Sequence, residues 1–94
     1  MQAGKGGDGP VSLVPRLQSG KAPFPVSFRA TVKHTRAPVF WEFVAGDGEA
    51  RSGQGTPPRF LGHTYTAAGV YRAVLIIHLG QGDRLLTYVD VRVR

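Results

Sequence analysis

The sequence contains no cysteine, and its 94 residues are too few to build a large core. Without thiols the chain has no disulfide framework, no thiolate metal ligand and no cysteine nucleophile. No apolar run approaches the roughly 20 residues that span a bilayer, and residues 1–10 lack the apolar segment of a secretory signal peptide. A chain of this length is expected to form one domain that buries about 60–65% of its unfolded surface. A domain of this size has little chain left over to form a deep catalytic cleft.

The sequence also lacks asparagine and is poor in lysine, with arginine supplying most of a formal net charge of +6. This bias is typical of a GC-rich or heat-adapted source. The basic residues are scattered without any run of five, which indicates solvated surface charge. Single-strand nucleic-acid binding favours aromatic residues among the cations, and the strand that carries Ser27, Arg29, Thr31 and Lys33 has none among them. We therefore expect no nucleic-acid partner.

Residues with the spacing of a catalytic or metal site are missing. His34, His63 and His78 lack the spacing of a zinc site. The Gly-rich turns at residues 46–48 and 53–55 are not followed by the Lys-Ser/Thr of a phosphate-binding loop, and no segment resembles a nucleophile elbow. Asp47 and Glu49 could offer two oxygens to calcium, but a solvated turn is the favoured interpretation because no EF-hand-type loop is present. The sequence predicts a non-enzyme with no metal, no cofactor and no small-molecule substrate.

Alternation of apolar and polar residues is the dominant pattern. It follows a Gly-rich arm over residues 1–10, which we expect to be flexible, and no stretch has helical spacing. The alternation predicts strands at 11–14, 26–32, 39–43, 60–65, 71–77 and 87–93, with a short edge strand at 49–51. Residues 11–94 are therefore expected to form an all-β, immunoglobulin-like antiparallel β-sandwich of about seven strands in two sheets.

Three blocks of residues resemble the PKD domain family. An opening block with one extra residue after its glycine comprises Gly20, Pro23, Phe24, Val26 and Phe28. The turn block WEFVAGDG, at residues 41–48, has Glu42 where the family has Asp and carries an inserted Val44–Ala45. The third block comprises His63, Tyr65, Gly69, Tyr71, Ala73 and Leu75, with Ala73 replacing the usual Val. The resemblance covers nearly the whole of residues 11–94 and implies an accessory module with no catalytic residues.

The matched positions also have a structural interpretation that does not depend on the family. Trp41 lies mid-strand among apolar residues, where its ring would fill the space between two sheets. Tyr71 follows a glycine and stands where a tyrosine corner has its tyrosine, and both Trp41 and Tyr71 are predicted to be buried. The residues assigned such structural roles are Trp41, Gly46, Asp47, Gly48, His63, Tyr65, Gly69 and Tyr71.

The residues that the core does not need predict a partner-binding surface. If Val39, Trp41 and Phe43 face inward, their neighbours face outward, and the same parity applies to the two last strands. In an immunoglobulin-like sandwich these three strands are adjacent. The predicted outer face comprises Phe40, Val44, Arg72, Val74, Ile76, Leu86 and Tyr88. Such an apolar face is typical of a protein interface, although loops or the N-terminal arm could cover it instead.

Three functions remain open from the sequence. The first is a free-standing structural protein that docks on a larger assembly or on itself, such as a capsid decoration or tail protein of a bacteriophage virion. This hypothesis is based on a sequence that starts at Met1, has no export signal and ends with its last strand at Arg94. The alternative is a PKD spacer or adhesion module of a secreted or cell-surface protein. A carbohydrate-binding module ranks last because the sole tryptophan is assigned to the core.

Overall fold

The computed structural model describes residues 4–5 and 10–94, with side chains from residue 10 onward. Within these ranges the chain forms nine strands. They are β1 (Gly4–Lys5), β2 (Val11–Pro15), β3 (Ser19–Gly20), β4 (Phe24–Val32), β5 (Phe40–Val44), β6 (Ala50–Gln54), β7 (Phe60–Tyr65), β8 (Gly69–Gly80) and β9 (Asp83–Val93).

The strands form two sheets, which confirms the predicted β-sandwich. The larger sheet has the order β1-β9-β8-β5-β6, with β3 also paired to β9, and the smaller has the order β2-β4-β7. All pairings are antiparallel except those of β1 and β3 with β9. The seven longer strands correspond to those predicted, whereas β1 and β3 are dipeptides, too short to show an alternation.

The core lies between the sheets and follows the alternation of each strand. On β4 the inward residues Phe24, Val26, Phe28 and Ala30 are buried, while the residues between them are exposed. Strand β9 also alternates, with mostly half-buried residues between its buried ones, and includes Thr87, the one buried polar residue among those with described side chains. Burying a large apolar side chain stabilises a fold by about 1.5–3 kcal/mol, so these inward rows set which face of each strand points to the core.

The chain crosses from the smaller to the larger sheet between β2 and β3. Pro15 is the last residue of β2. The Arg16 main-chain amide still donates to the Ser27 carbonyl of β4, at 2.9 Å. Two residues later the partner is β9, because the Gln18 carbonyl accepts from the Arg92 amide at 2.9 Å. The N-terminal part of the domain therefore belongs to both sheets.

Two of the predicted core positions need correction. Val39 is 52% exposed, because β5 begins only at Phe40 and Val39 precedes the inward rows of the strand. Tyr71 is only half-buried, since it lies near the start of β8, where its ring packs against the core from the end of the sandwich. The fully buried tyrosine is Tyr65, and Trp41 is buried as predicted, at 8% exposure.

The N-terminal arm is described only in part. Gly4 and Lys5 pair in parallel with Thr87 and Tyr88 of β9, and Pro10 accepts a hydrogen bond from the Lys33 amide. Residues 1–3 and 6–9 lie outside the described residues, so the flexibility of the arm stays a prediction.

Candidate functional site

The register of β5, β8 and β9 brings the predicted outer-face residues together. Val44 of β5 lies opposite Val74 of β8, and Val74 lies opposite Tyr88 of β9. A second row joins Glu42, Ile76 and Leu86. Residues opposite one another on adjacent strands point to the same face, so the apolar side chains form two adjacent rows across three strands.

The outer face is only partly exposed. Phe40 and Val44 are each 37% exposed, whereas Val74, Ile76, Leu86 and Tyr88 are half-buried. Side chains packed beside their neighbours on a sheet cover part of each other's surface. The face therefore offers less accessible apolar area than six separate side chains would.

A polar pair interrupts the outer face near Phe40. The His78 Nε2 atom lies 2.7 Å from the Glu42 Oε1 atom, and the His78 ring stacks on Phe40 with ring centroids 4.0 Å apart and an interplanar angle of 7°. The two contacts place the His78 ring between Phe40 and Glu42. This end of the outer face combines an ordered aromatic ring with an ionisable pair.

The opposite end of the outer face is bounded by Arg72. Its guanidinium makes two hydrogen bonds to the Asp90 carboxylate, at 2.9 and 3.2 Å, and lies over the Tyr88 ring at 4.1 Å from the centroid. The hydrogen bond to Asp90 raises the pKa of Arg72. These contacts fix a charged rim beside the apolar rows, as protein interfaces commonly show.

The turn between β5 and β6 is built around Asp47. Its Oδ1 atom accepts a hydrogen bond from the Glu49 amide at 3.2 Å, and its Oδ2 atom lies 2.7 Å from His63 Nε2. Desolvation acts to raise the pKa of Asp47, but the hydrogen bond to His63, that from the Glu49 amide and the charge of His63 outweigh it and lower this pKa. Both carboxylate oxygens are thus engaged by protein groups.

Aromatic side chains connect this turn to the interior. His63 meets Tyr65 edge-on with centroids 4.6 Å apart, and Tyr65 stacks on Tyr71 at 4.7 Å. The Tyr65 hydroxyl donates to the Ala45 carbonyl at 2.8 Å, and the Tyr71 hydroxyl donates to the Ala67 carbonyl, four residues upstream, at 2.6 Å. The second bond has the form of a tyrosine corner.

The structural-motif residues therefore divide into two places. Asp47, His63, Tyr65 and Tyr71 form one connected brace at the end of the sandwich, whereas Trp41 packs separately beside Gly53 of β6. A Cβ atom on Gly53 would lie only 2.8 Å from the Trp41 indole nitrogen. Sequence reasoning did not single out Gly53, since nothing in the pattern of β6 shows which ring lies over it.

Sequence reasoning also missed a groove between β6 and β7, with a volume of ≈ 660 Å³. Arg51 lies in its wall, donates to the Gly62 carbonyl, and passes 5.5 Å from the Phe43 ring centroid. Arg16 and Glu49 line the same groove. Arg16 follows β2, Glu49 precedes β6 and Arg51 lies within β6, and no motif in the sequence connects the three.

The basic face of the smaller sheet is as the alternation predicts, with Arg29 and Lys33 exposed. Arg36, which follows in the next turn, instead binds the β8–β9 hairpin through Asp83 at 2.8 Å and the Leu79 carbonyl at 3.0 Å. The basic face therefore includes Arg29 and Lys33 but not Arg36.

Two searches of the described residues returned nothing. They contain no group of three or more His, Asp or Glu residues placed to hold a metal ion. They also include no helix of the length and apolar character that crossing a membrane requires.

Comparison with known proteins identifies the fold. No protein-family model matches the chain, and a search of curated proteins finds no significant match. Two solved structures are similar. One comes from work on the promiscuous specificity of carbohydrate-binding modules of the β-sandwich superfamily, with a TM-score of 0.73 and 16% identity over 88% of this chain and 33% of that one. The other is from the fibronectin(III)-like modules of Clostridium thermocellum CbhA, with a TM-score of 0.66 and 24% identity over 86% of this chain and 93% of that one.

These likenesses establish an immunoglobulin-like β-sandwich and do not single out the PKD family. The chain spans about a third of the length of the first structure and almost all of the second. At such low identity the likeness concerns the fold alone.

Proposed function

We propose that this chain is a non-catalytic accessory module of a larger secreted or cell-surface protein, and that its outer face contacts a neighbouring folded domain of that protein. The outer face is the set defined above, on β5, β8 and β9. The observation that carries the proposal is the pair of apolar rows, Val44–Val74–Tyr88 and Ile76–Leu86, joined in register on three adjacent strands.

A protein partner fits this face for a physical reason. The face is largely aliphatic, with a charged rim at Arg72 and Asp90 that hydrogen bonds hold in place, whereas antiparallel sheets that face water usually present polar residues there. Burying such side chains contributes about 25 cal/mol per Å². A second folded surface covers such an apolar face better than a small polar ligand does.

Of the functions that the sequence leaves open, we carry forward the accessory module of a secreted or cell-surface protein. Both similar structures belong to work on modules, and the first similar chain is about three times as long as the matched region. Neither comparison supports a bacteriophage virion protein, a heat-adapted source or PKD membership in particular. The PKD resemblance remains a proposal that rests on the three sequence blocks.

The first test is the intact mass of the natural gene product, measured by mass spectrometry from its source cells. A product much heavier than 10.1 kDa is expected. A mature product of 10.1 kDa would overturn the proposal that the chain is a module.

The second test compares hydroxyl-radical footprinting of the isolated chain and of the parent protein. We expect Phe40 and Tyr88 to be protected in the parent, while Phe60 on β7, which is 57% exposed, remains as reactive as in the isolated chain. The double substitution Val74→Thr and Ile76→Thr should abolish the protection of Phe40, whereas Val14→Thr, on the smaller sheet, should leave it intact. Equal reactivity of Phe40 in both forms would overturn the proposed interface.

A further inference from the structure

Strand β6 has one side without a hydrogen-bonding partner among the described residues. The ladder between β5 and β6 continues at both ends, where the Ala45 amide donates to the Glu49 carbonyl at 3.0 Å and the Gly55 amide donates to the Val39 carbonyl at 2.7 Å. Because hydrogen-bonded pairs alternate in an antiparallel ladder, every second residue of β6 directs its main-chain groups away from β5. These residues are Ala50, Ser52 and Gln54.

The other edge of the larger sheet is occupied from Thr87 to the end of the chain. The Arg92 and Arg94 amides at the end of β9 donate to the carbonyls of Gln18 and Gly20 at 2.9 Å each. Further along β9, the Gln18 side chain donates to the Asp90 carbonyl at 2.9 Å, and β1 pairs with Thr87–Tyr88. An incoming strand would have to displace these contacts.

Both edges of the smaller sheet are obstructed as well. Strand β2 ends in Pro15, and its residues Val11 and Leu13 are buried where β2 packs against β9. Strand β7 has the carbonyl of its central Gly62 engaged by the Arg51 guanidinium. Within the described part of the chain, β6 is therefore the edge strand that is open along its whole length.

Strand β6 has few of the features that usually protect an edge. Proteins block exposed edges with proline, charged side chains or a β-bulge. Strand β6 reads ARSGQ and pairs with β5 without a register shift, and its one charged side chain, that of Arg51, is directed to the Gly62 carbonyl of β7. The outward side chains of Ala50, Ser52 and Gln54 are small or neutral and exposed. Arg51 is therefore the one contribution of β6 to the +6 charge of the chain.

We propose that β6 pairs in antiparallel orientation with β6 of a second copy of this chain, about a two-fold axis through Ser52. In this register Ser52 lies opposite its own symmetry mate and Ala50 lies opposite Gln54, which gives three hydrogen-bonded pairs. Arg51 then lies opposite Gly53, and the two Arg51 residues are diagonal neighbours, each with its guanidinium bound to the Gly62 carbonyl of its own copy. Every residue of β6 thus faces a small or uncharged residue of the other copy, which favours a second copy over a segment with bulky or charged residues.

The arrangement also sets the size of the assembly. Among the described residues, β6 is the edge strand open along its whole length, so pairing two copies of β6 buries that edge in both and leaves no equivalent edge for a third copy. The paired larger sheets become one continuous sheet with the two outer faces on the same side. A contact over five residues with small side chains buries less than a standard interface, so we expect half-dimerisation at roughly 0.1–1 mM.

The test is sedimentation equilibrium of the full chain up to about 2 mM. Ser52→Lys places two lysine side chains opposite each other and should raise the dissociation constant of the dimer about fivefold. Gln54→Lys is the matched control, because it adds the same charge to the same edge but opposite Ala50, and it should change the constant less than twofold.

Charge exchange makes the test specific to the register. Ser52→Glu should weaken the dimer as Ser52→Lys does, while an equimolar mixture of the two variants should associate about fivefold or more tightly than either alone. The double variant Ala50→Lys with Gln54→Glu keeps the net charge and creates two opposed ion pairs, so it should tighten the dimer severalfold.

Four results would each overturn the proposal. The chain could stay monomeric up to 2 mM, or Ser52→Lys and Gln54→Lys could have equal effects. The mixture of the Ser52→Lys and Ser52→Glu variants could fail to restore association, or Val74→Thr with Ile76→Thr could abolish dimerisation instead. The last result would assign self-association to the outer face. If Ser52→Lys failed to fold, the double variant at positions 50 and 54 would still decide the register.

Discussion

Tyr65 of the smaller sheet donates its hydroxyl to the main-chain carbonyl of Ala45 at the end of β5, with the two oxygen atoms 2.8 Å apart. Tyr65 is fully buried, so this bond satisfies a polar group that water does not reach. It connects the two sheets at the end of the sandwich where β5 turns into β6. The stacking of Tyr71 on Tyr65 extends the same connection towards the surface.

The first prediction concerns these two hydroxyl groups. Tyr65→Phe removes a buried donor and should lower the free energy of unfolding by about 1–3 kcal/mol, measured by urea denaturation. Tyr71→Phe is the matched control, because water can replace its more exposed hydroxyl at the Ala67 carbonyl, and it should cost about 0.5–1 kcal/mol. Equal losses for the two variants would contradict the assigned role of Tyr65.

The second prediction separates backbone strain from steric contact in the β5–β6 turn. Gly46 and Gly48 both have positive φ angles, 99° and 102°, where a side chain costs about 1–2 kcal/mol. A Cβ atom on Gly46 would also lie 2.6 Å from the Arg72 carbonyl oxygen, whereas one on Gly48 would meet nothing within 4 Å.

We therefore expect Gly48→Ala to lower the free energy of unfolding by about 1–2 kcal/mol and Gly46→Ala by roughly 2–5 kcal/mol. Thermal and urea unfolding of the two variants measure the difference. A Gly48→Ala variant at least as damaging as Gly46→Ala would show that the close approach of β8 is not the deciding factor.

The third prediction concerns acid. Because the pKa of Asp47 is lowered in the folded protein, ionised Asp47 stabilises the fold at pH values above its unfolded pKa of about 3.9. This contribution is lost as the pH falls through the lower, folded pKa. The relevant window is therefore acidic, from about pH 5 downwards.

Urea denaturation between pH 5.5 and pH 2 measures this effect. The free energy of unfolding should fall more steeply with acid in the natural protein than in Asp47→Asn, and the two should converge at the lowest pH. Glu49→Gln, which removes a carboxylate from the same turn but keeps the Asp47–His63 contact, should follow the natural protein. Parallel pH profiles for the natural protein and Asp47→Asn would contradict the prediction.

Alternation along the sequence was sufficient to predict the architecture and most of the core. It failed at Val39, because residue parity shows which residues share a face but not where a strand begins. It also overstated the burial of Tyr71, since the end of a sheet is less covered than its middle. The predicted outer-face residues do lie on one face, yet their binding role stays a proposal, because parity carries no information about a partner.

Side-chain parity is a local property, so period-two alternation carries it in the sequence itself. Contacts between strands depend instead on which strands become neighbours and in which register, and these come from packing of the whole chain. The bond from Tyr65 to Ala45, the pairing of His63 with Asp47 and the closure of the β9 edge by Gln18 all join residues that no local pattern relates. The open edge of β6 is likewise decided by the tertiary structure, because a strand becomes an edge only when the other strands have paired elsewhere.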